Sequence, residues 1–196
     1  MAIKEENEIT VRVLCSNEEL KRILLEKGFK QIKRFSLDDY YLIPKNLEIE
    51  KLTAREILEK AVIIRNWINE DKSTQMILFK RKDINQKGEI KKQKAFECNI
   101  YDCKAAMKLF EELGYYEIMN IKENSVVYSK DTLEMAVKFI QNSNTLIEIE
   151  TDENYRTIDE LKKLVEEISL PIEKDNFFVK KAEEALNKIL KDMIYL

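Results

Sequence analysis

Residues 8–13, Glu-Ile-Thr-Val-Arg-Val, alternate apolar and polar side chains without a break, the period of a half-buried strand. Ile9, Val11 and Val13 fall on one face, and Glu6, Glu8, Thr10 and Arg12 on the other. Ser16, with Glu19 three positions on, is a capping-box start for a helix to about residue 27, with Leu20, Ile23 and Leu24 on its apolar stripe. Gly28 suits the position just past the end of that helix. The pattern then predicts one or two strands over 29–42, a short helix or irregular loop over 53–60, and a strand over 61–67. Residues 74–82 alternate again, with Met76, Leu78, Lys80 and Lys82 on one face. A hairpin turn over 83–88 leads into a returning strand at 90–100.

A second unit follows. Asp102 caps a helix over 103–113 that stops at Gly114. Strands are expected at 115–121, 125–129, 132–140 and 145–151. Thr157 and Glu160 form another capping box for a helix to residue 168. Pro171 interrupts, and a last helix covers about 176–193. The two units repeat one another. At an offset of 86 residues, Leu24 meets Phe110, Gly28 meets Gly114, Phe29 meets Tyr115 and Ile32 meets Ile118. That period is far too long for a solenoid and indicates two related halves, each a strand, a helix and several antiparallel strands.

Composition narrows the chemistry. Lys and Arg number 34 against 37 Asp and Glu, so the formal charge of −3 argues against a nucleic-acid partner held by net charge. There is no His, which removes Ser-His-Asp and Cys-His catalysis and the common zinc sites. The only glycines, Gly28, Gly88 and Gly114, lie too far apart for any Gly-rich phosphate loop. Cys15, Cys98 and Cys103 are odd in number and lack metal-ligand spacing, so they read as buried thiols in a reducing compartment. No apolar run approaches the roughly 20 residues of a membrane span, and the first ten residues carry no signal-peptide core. A cytoplasmic location with no membrane partner is expected.

The polar faces of the strands are unusual in kind. They carry long side chains of both signs: Glu6, Glu8 and Arg12; Arg65; Lys80 and Lys82; Glu97; Lys122; Lys138; Glu148 and Glu150. Solvated strands more often carry Ser, Thr and single charges. A closed sheet of about eight strands has an interior wide enough for side chains or one small ligand. If these faces line it, the barrel is polar inside and apolar outside. Charges of both signs in such a tunnel suit a highly charged ligand with cations, such as a polyphosphate with Mg²⁺ or Mn²⁺. The alternative is an open sheet whose charges meet water.

In order and spacing these segments resemble the CYTH superfamily, the triphosphate tunnel enzymes that include class IV adenylate cyclases, thiamine triphosphatases and inorganic triphosphatases. Glu6-Asn-Glu8-Ile-Thr10-Val-Arg12 is similar to the family's opening Glu-x-Glu-x-Lys-x-Arg, with Thr10 in place of Lys. A competing alignment sets Glu8, Thr10 and Arg12 on the three motif positions and leaves the faces unchanged. Ser36-Leu-Asp38-Asp-Tyr40-Tyr41 resembles Gln-x-Asp-x-Tyr-Phe, and 61–65 resembles Ala-Leu-Arg-Ile-Arg with Ile63 for the first Arg. Leu78-Phe-Lys80 resembles Thr-Tyr-Lys, and Lys122-Glu-Asn124 resembles Lys-x-Arg. Thr145-Leu-Ile-Glu148-Ile-Glu150 is similar to the closing Phe-Val-Glu-Ile-Glu, while a family Asp falls near Lys138.

The resemblance covers about residues 5–151 and implies an α+β fold: an antiparallel, closed or nearly closed eight-stranded β-barrel built from two related halves, with helices packed outside. One domain, 1–196, is expected, with C-terminal helices over about 157–193 that cover the barrel or pair two chains into a homodimer. The resemblance implies a metal-dependent phosphohydrolase or cyclase acting on a triphosphate. Glu6, Glu8, Glu148 and Glu150 would hold Mg²⁺ or Mn²⁺, and Arg12, Arg65, Lys80, Lys82 and Lys122 would bind the phosphates of a small-molecule triphosphate or nucleotide. The replacements at Thr10, Ile63, Asn124 and Lys138 keep a second reading open, a module that binds polyphosphate or nucleotide without turnover. Trp67 and the Tyr and Phe side chains read as core or rim, and the lysines at 87, 91, 92 and 94 as a solvated edge strand.

Overall fold

A computed structural model describes residues 8–70, 72–84 and 90–194, with the side chains of 82–84, 90–94 and 194 outside the described set. Glu6, most of the hairpin turn with Lys87, and the side chains of Lys82, Lys91, Lys92 and Lys94 therefore fall outside it. Eight antiparallel strands form one sheet in the order β1-β8-β7-β6-β2-β3-β4-β5. They are β1 (Glu8–Arg12), β2 (Lys30–Pro44), β3 (Val62–Asn69), β4 (Lys72–Ile84), β5 (Ile90–Ile100), β6 (Tyr115–Lys130), β7 (Leu133–Ile140) and β8 (Thr145–Glu150). The helices are α1 (Asn17–Glu26), α2 (Ala54–Leu58), α3 (Cys103–Glu112), α4 (Ile158–Ile168) and α5 (Lys181–Ile194). Each of the two segments that could have been paired strands, 29–42 and 115–129, is a single long strand.

The two halves are visible in the pairing. β2 and β6 sit side by side at the centre, with Leu37 opposite Glu123. Each half sends its first strand to the far edge of the other half: β1 pairs with β8, and β5 with β4. Among the described residues the sheet is strongly curled but not closed by hydrogen bonds, as β1 and β5 do not pair. Of the closed and nearly closed barrels expected, this is the nearly closed one, a cup with a seam. At the seam the chain from the C-terminal region lies along β1. Thr10 N–H donates to Phe177 C=O at 2.9 Å, and Val179 N–H donates to Thr10 C=O at 3.0 Å. This is why α5 begins at Lys181 and not near residue 176: the preceding residues are extended against β1.

Apolar faces pack outward under helices, as alternation requires. Ile9, Val11, Val137, Ile147 and Ile149 meet Leu20 and Leu24 of α1 and Leu161 and Val165 of α4. Leu42 and Ile64 meet Ala106, Met107 and Phe110 of α3. A third cluster lies inside the curl, where Tyr41, Ile43, Ile63, Leu78, Met119 and Ile121 pack against Ile57 of α2 and Leu186 of α5. Cys98 is exposed and Cys15 and Cys103 are half-buried, so the thiols are less enclosed than expected. No described helix is long and apolar enough to cross a membrane.

The helix ends follow the sequence signals. Ser16 Oγ accepts from Glu19 N–H at 3.2 Å, and the Thr53–Glu56 and Thr157–Glu160 boxes have both of their hydrogen bonds. Gly28 and Gly114 turn their chains out of α1 and α3 at φ of 86° and 84°. A Cβ on Gly114 would meet nothing within 4 Å, so the cost of a substitution there is conformational. Gly114→Ala is expected to lose about 1–2 kcal/mol, read as a melting temperature lower by roughly 2–8 °C in a chain of this size.

Candidate functional site

The polar faces of β1, β8, β7, β6, β2, β3, β4 and β5 enclose one cavity of about 650 Å³. Glu8 and Thr10 of β1 and Glu97 of β5 line the same space, which places the two edge strands on one interior. Arg65, Lys80, Glu148 and Glu150 also line it. Among the described residues the wall carries seven Lys and Arg and seven Glu side chains, so it is close to neutral.

Two features organise the charges. The first is a carboxylate trio. In the β1–β8 ladder Glu8 sits opposite Glu150 and Thr10 opposite Glu148, so alternation sends three acids to one spot. Glu8, Glu148 and Glu150 each offer an oxygen, all within 4.8 Å of one another. Three hard oxygen donors this close fit a divalent cation such as Mg²⁺ or Mn²⁺. Lys138 of β7 forms an ion pair with Glu148. Burial alone would raise the Glu148 carboxyl, but Lys138 outweighs it and holds Glu148 below the usual carboxylate range. The position of the charge reversal is therefore occupied by a counter-ion to one of the acids.

The second is a buried network on β2, β3 and β6. Arg65 donates to both oxygens of Asp39, at 2.6 and 2.7 Å, and Asp39 is fully buried. Desolvation works against the Arg65 charge, but Asp39 more than compensates and keeps the guanidinium firmly protonated. Lys181, the first residue of α5, donates to Glu123 at 2.6 Å and lies 3.7 Å from Asp39. Ser125 Oγ also donates to Glu123 at 2.6 Å. Burial would push Glu123 up, yet Lys181 and Lys138 hold it down at about 2. The sign follows: a carboxyl depressed in the folded state stabilises the fold above its unfolded value of 4.5, and that stability drains as pH falls toward about 2. Acid unfolding followed by circular dichroism should thus shift to higher pH in Ser125→Ala, which removes one of the hydrogen bonds holding Glu123 ionised.

Two proposed phosphate ligands do not join the cavity. Lys122 and Asn124 alternate with Glu123 and Ser125, and it is the latter pair that faces in. Lys122 points to the other side of the sheet, 3.9 Å from Asp38, which also accepts from Tyr40 Oη at 3.0 Å and Asn120 Nδ2 at 2.6 Å. The Asp38–Tyr40 pair shares that outer face. Arg12 shares the face of Glu8 and Thr10, but its guanidinium is held by Glu173 at 2.8 Å and by Glu184 of α5. It ties the C-terminal segment to β1. Sequence reasoning missed Asp39, Glu123 and Lys181. Strict alternation from Tyr41 would have found Asp39, whereas no local signal marks Lys181. Thr10 stands where the resembling motif has Lys, and the segment paired with it carries Lys180 and Lys181 into the wall.

No protein-family model matches the chain, and no curated protein matches it by sequence. Solved structures do match it in shape. The PH1819 protein of Pyrococcus horikoshii is similar over 93% of this chain and 99% of its own, at 18% identity and a TM-score of 0.68. The fold is CYTH-like. A proposed adenylate cyclase of Vibrio parahaemolyticus aligns with 95% of this chain and 99% of its own, at 13% identity and a TM-score of 0.61. A proposed adenylyl cyclase of Hippeastrum, with a dominant triphosphatase activity, aligns over 94% of this chain and 96% of its own, at 11% identity and a TM-score of 0.62. At these identities the CYTH-like likeness is one of fold.

Proposed function

We propose that this CYTH-like chain is a metal-dependent enzyme acting on a small-molecule triphosphate, by hydrolysis or by cyclisation of a nucleoside triphosphate. The observation that carries the reading is the convergence, inside one cavity, of the Glu8–Glu148–Glu150 trio with Arg65, Lys80, Lys138 and Lys181. The dominant triphosphatase activity of the Hippeastrum neighbour supports it. A near-neutral wall does not by itself hold a polyanion, so the ligand must arrive with cations. Glu8, Glu148 and Glu150 would hold Mg²⁺ or Mn²⁺, and the cation would supply positive charge to offset that of the phosphates.

The chain's own groups do the rest. Lys80, Lys138 and Lys181 offer ammonium donors to phosphate oxygens, and Arg65 offers a fixed planar fork whose orientation Asp39 sets. In hydrolysis a water attacks a phosphorus and the shortened phosphate chain leaves. In cyclisation the ribose 3′-hydroxyl attacks the α-phosphorus, loses its proton, and pyrophosphate leaves.

One observation favours the second reading, binding without turnover: Arg65, Lys138 and Lys181 each already have a carboxylate partner in the wall, against which phosphate must compete. The test is phosphate release from tripolyphosphate, ATP and thiamine triphosphate with Mg²⁺ or Mn²⁺, beside a cyclic AMP assay and calorimetry. Product formation above that of a Glu148→Gln/Glu150→Gln control supports the enzyme. Saturable binding without product selects the module, and no binding sinks both.

A further inference from the structure

The cavity has an aromatic corner that the phosphate chemistry does not use. Phe35 of β2 and Trp67 of β3 meet edge to face, their ring centroids 6.3 Å apart at 77°. Both are half-buried and line the cavity. None of the three apolar clusters among the described residues contains either ring. Rings of this size normally bury themselves in a core or shed their surface against a partner. These two instead keep surface turned to the cavity, beside Leu37, which sits opposite Trp67 in the ladder. Lys33 places its ammonium 5.3 Å from the Trp67 centroid and 5.9 Å from that of Phe35. The corner therefore combines π surface, an aliphatic wall and one positive charge.

We infer that this corner seats the aromatic heterocycle of an organic phosphate ester, and that the ring is neutral, as in a nucleobase. The inference rests on the triphosphate reading of the same cavity and narrows its substrate class. A ring stacked against Trp67 gains contact that inorganic tripolyphosphate cannot make. The Lys33 ammonium repels a ring that is itself cationic, such as a thiazolium, and favours a neutral one whose acceptor atoms it can reach. Trp67 acts here as a specificity residue, not a rim side chain.

Trp67 is the chain's single tryptophan, so binding has a direct optical readout. ATP, thiamine triphosphate and tripolyphosphate, each with Mg²⁺, are titrated against the full chain by calorimetry and by Trp67 fluorescence. ATP is expected to bind roughly 5- to 100-fold tighter than tripolyphosphate, the range for one base stacked on an aromatic side chain, and to change the Trp67 emission. Trp67→Leu should shrink the ATP-to-tripolyphosphate affinity ratio toward one, and Trp67→Phe should restore most of it. Phe35→Leu gives the same reading if Trp67→Leu does not fold. Equal affinity for ATP and tripolyphosphate, or a ratio unmoved by both substitutions, overturns the ring site while leaving the phosphate reading intact. Tighter binding of thiamine triphosphate than of ATP overturns the neutral ring. Failure of all three ligands to bind overturns the phosphate reading itself, and this inference with it.

Discussion

Asp39→Asn should lower the melting temperature of the ligand-free chain by about 6–20 °C. The substitution keeps the shape of the side chain and removes its charge. Arg65 then faces the interior without a carboxylate, and Lys181 loses one of its two acidic neighbours. Breaking a buried pair from one side typically costs ~3–5 kcal/mol, because the remaining charge is left desolvated. In a chain of this length each kcal/mol moves the midpoint by roughly 2–4 °C. Removing both charges with Asp39→Leu/Arg65→Leu should recover much of the loss, since the pair as a whole contributes far less than either half alone costs to orphan. Thermal unfolding by circular dichroism reads all three proteins. A shift in Asp39→Asn within a degree of wild type would show that the Arg65 charge does not need Asp39.

Mn²⁺ affinity should fall by at least ~100-fold in Glu8→Gln/Glu150→Gln, measured by calorimetry or by the loss of the free-ion resonance signal. Substituting groups that only orient a metal ligand already costs about 10–100-fold, and these two carboxylates would be ligands themselves. The pair is chosen because it leaves Glu148 bonded to Lys138, so the buried ion pair survives. Glu8 and Glu150 face each other across the β1–β8 ladder, and two amides there can still hydrogen-bond. Stability should therefore move little while metal binding collapses. If the double variant retains wild-type Mn²⁺ affinity, the trio is not the metal site.

Much of this was legible in the chain itself. Alternation over Ile9, Val11 and Val13 gave the inward direction of Glu8, and the closing Glu148-Ile-Glu150 gave the other two acids, because a strand's period of two depends on nothing distant. The repeat about Gly28 and Gly114 gave the two halves. Alternation failed where its phase was borrowed from motif likeness: aligning on Lys122 and Asn124 turned β6 over, so the acid between them, Glu123, was not singled out. Asp39 was lost to its neighbour Asp38 in the same way. Arg12 lay on the expected face, but its partners come from residues 173 and 184, and no local pattern announces a contact over that separation. Lys181 stayed hidden for the same reason. The long cations of a tunnel are placed by the alternation of strands, whereas their counter-ions are placed by tertiary closure.

The tethering of residues 177–179 to Thr10 has a consequence for how the chain matures on the ribosome. β1 emerges first yet finds β8 only after well over a hundred further residues, and Glu123 receives Lys181 later still. Such sequence-distant closure is slow, because the loop entropy is lost before the contact forms. Until that closure Glu123 stands without Lys181, so the interior network is completed by a contact made 58 residues downstream of the acid.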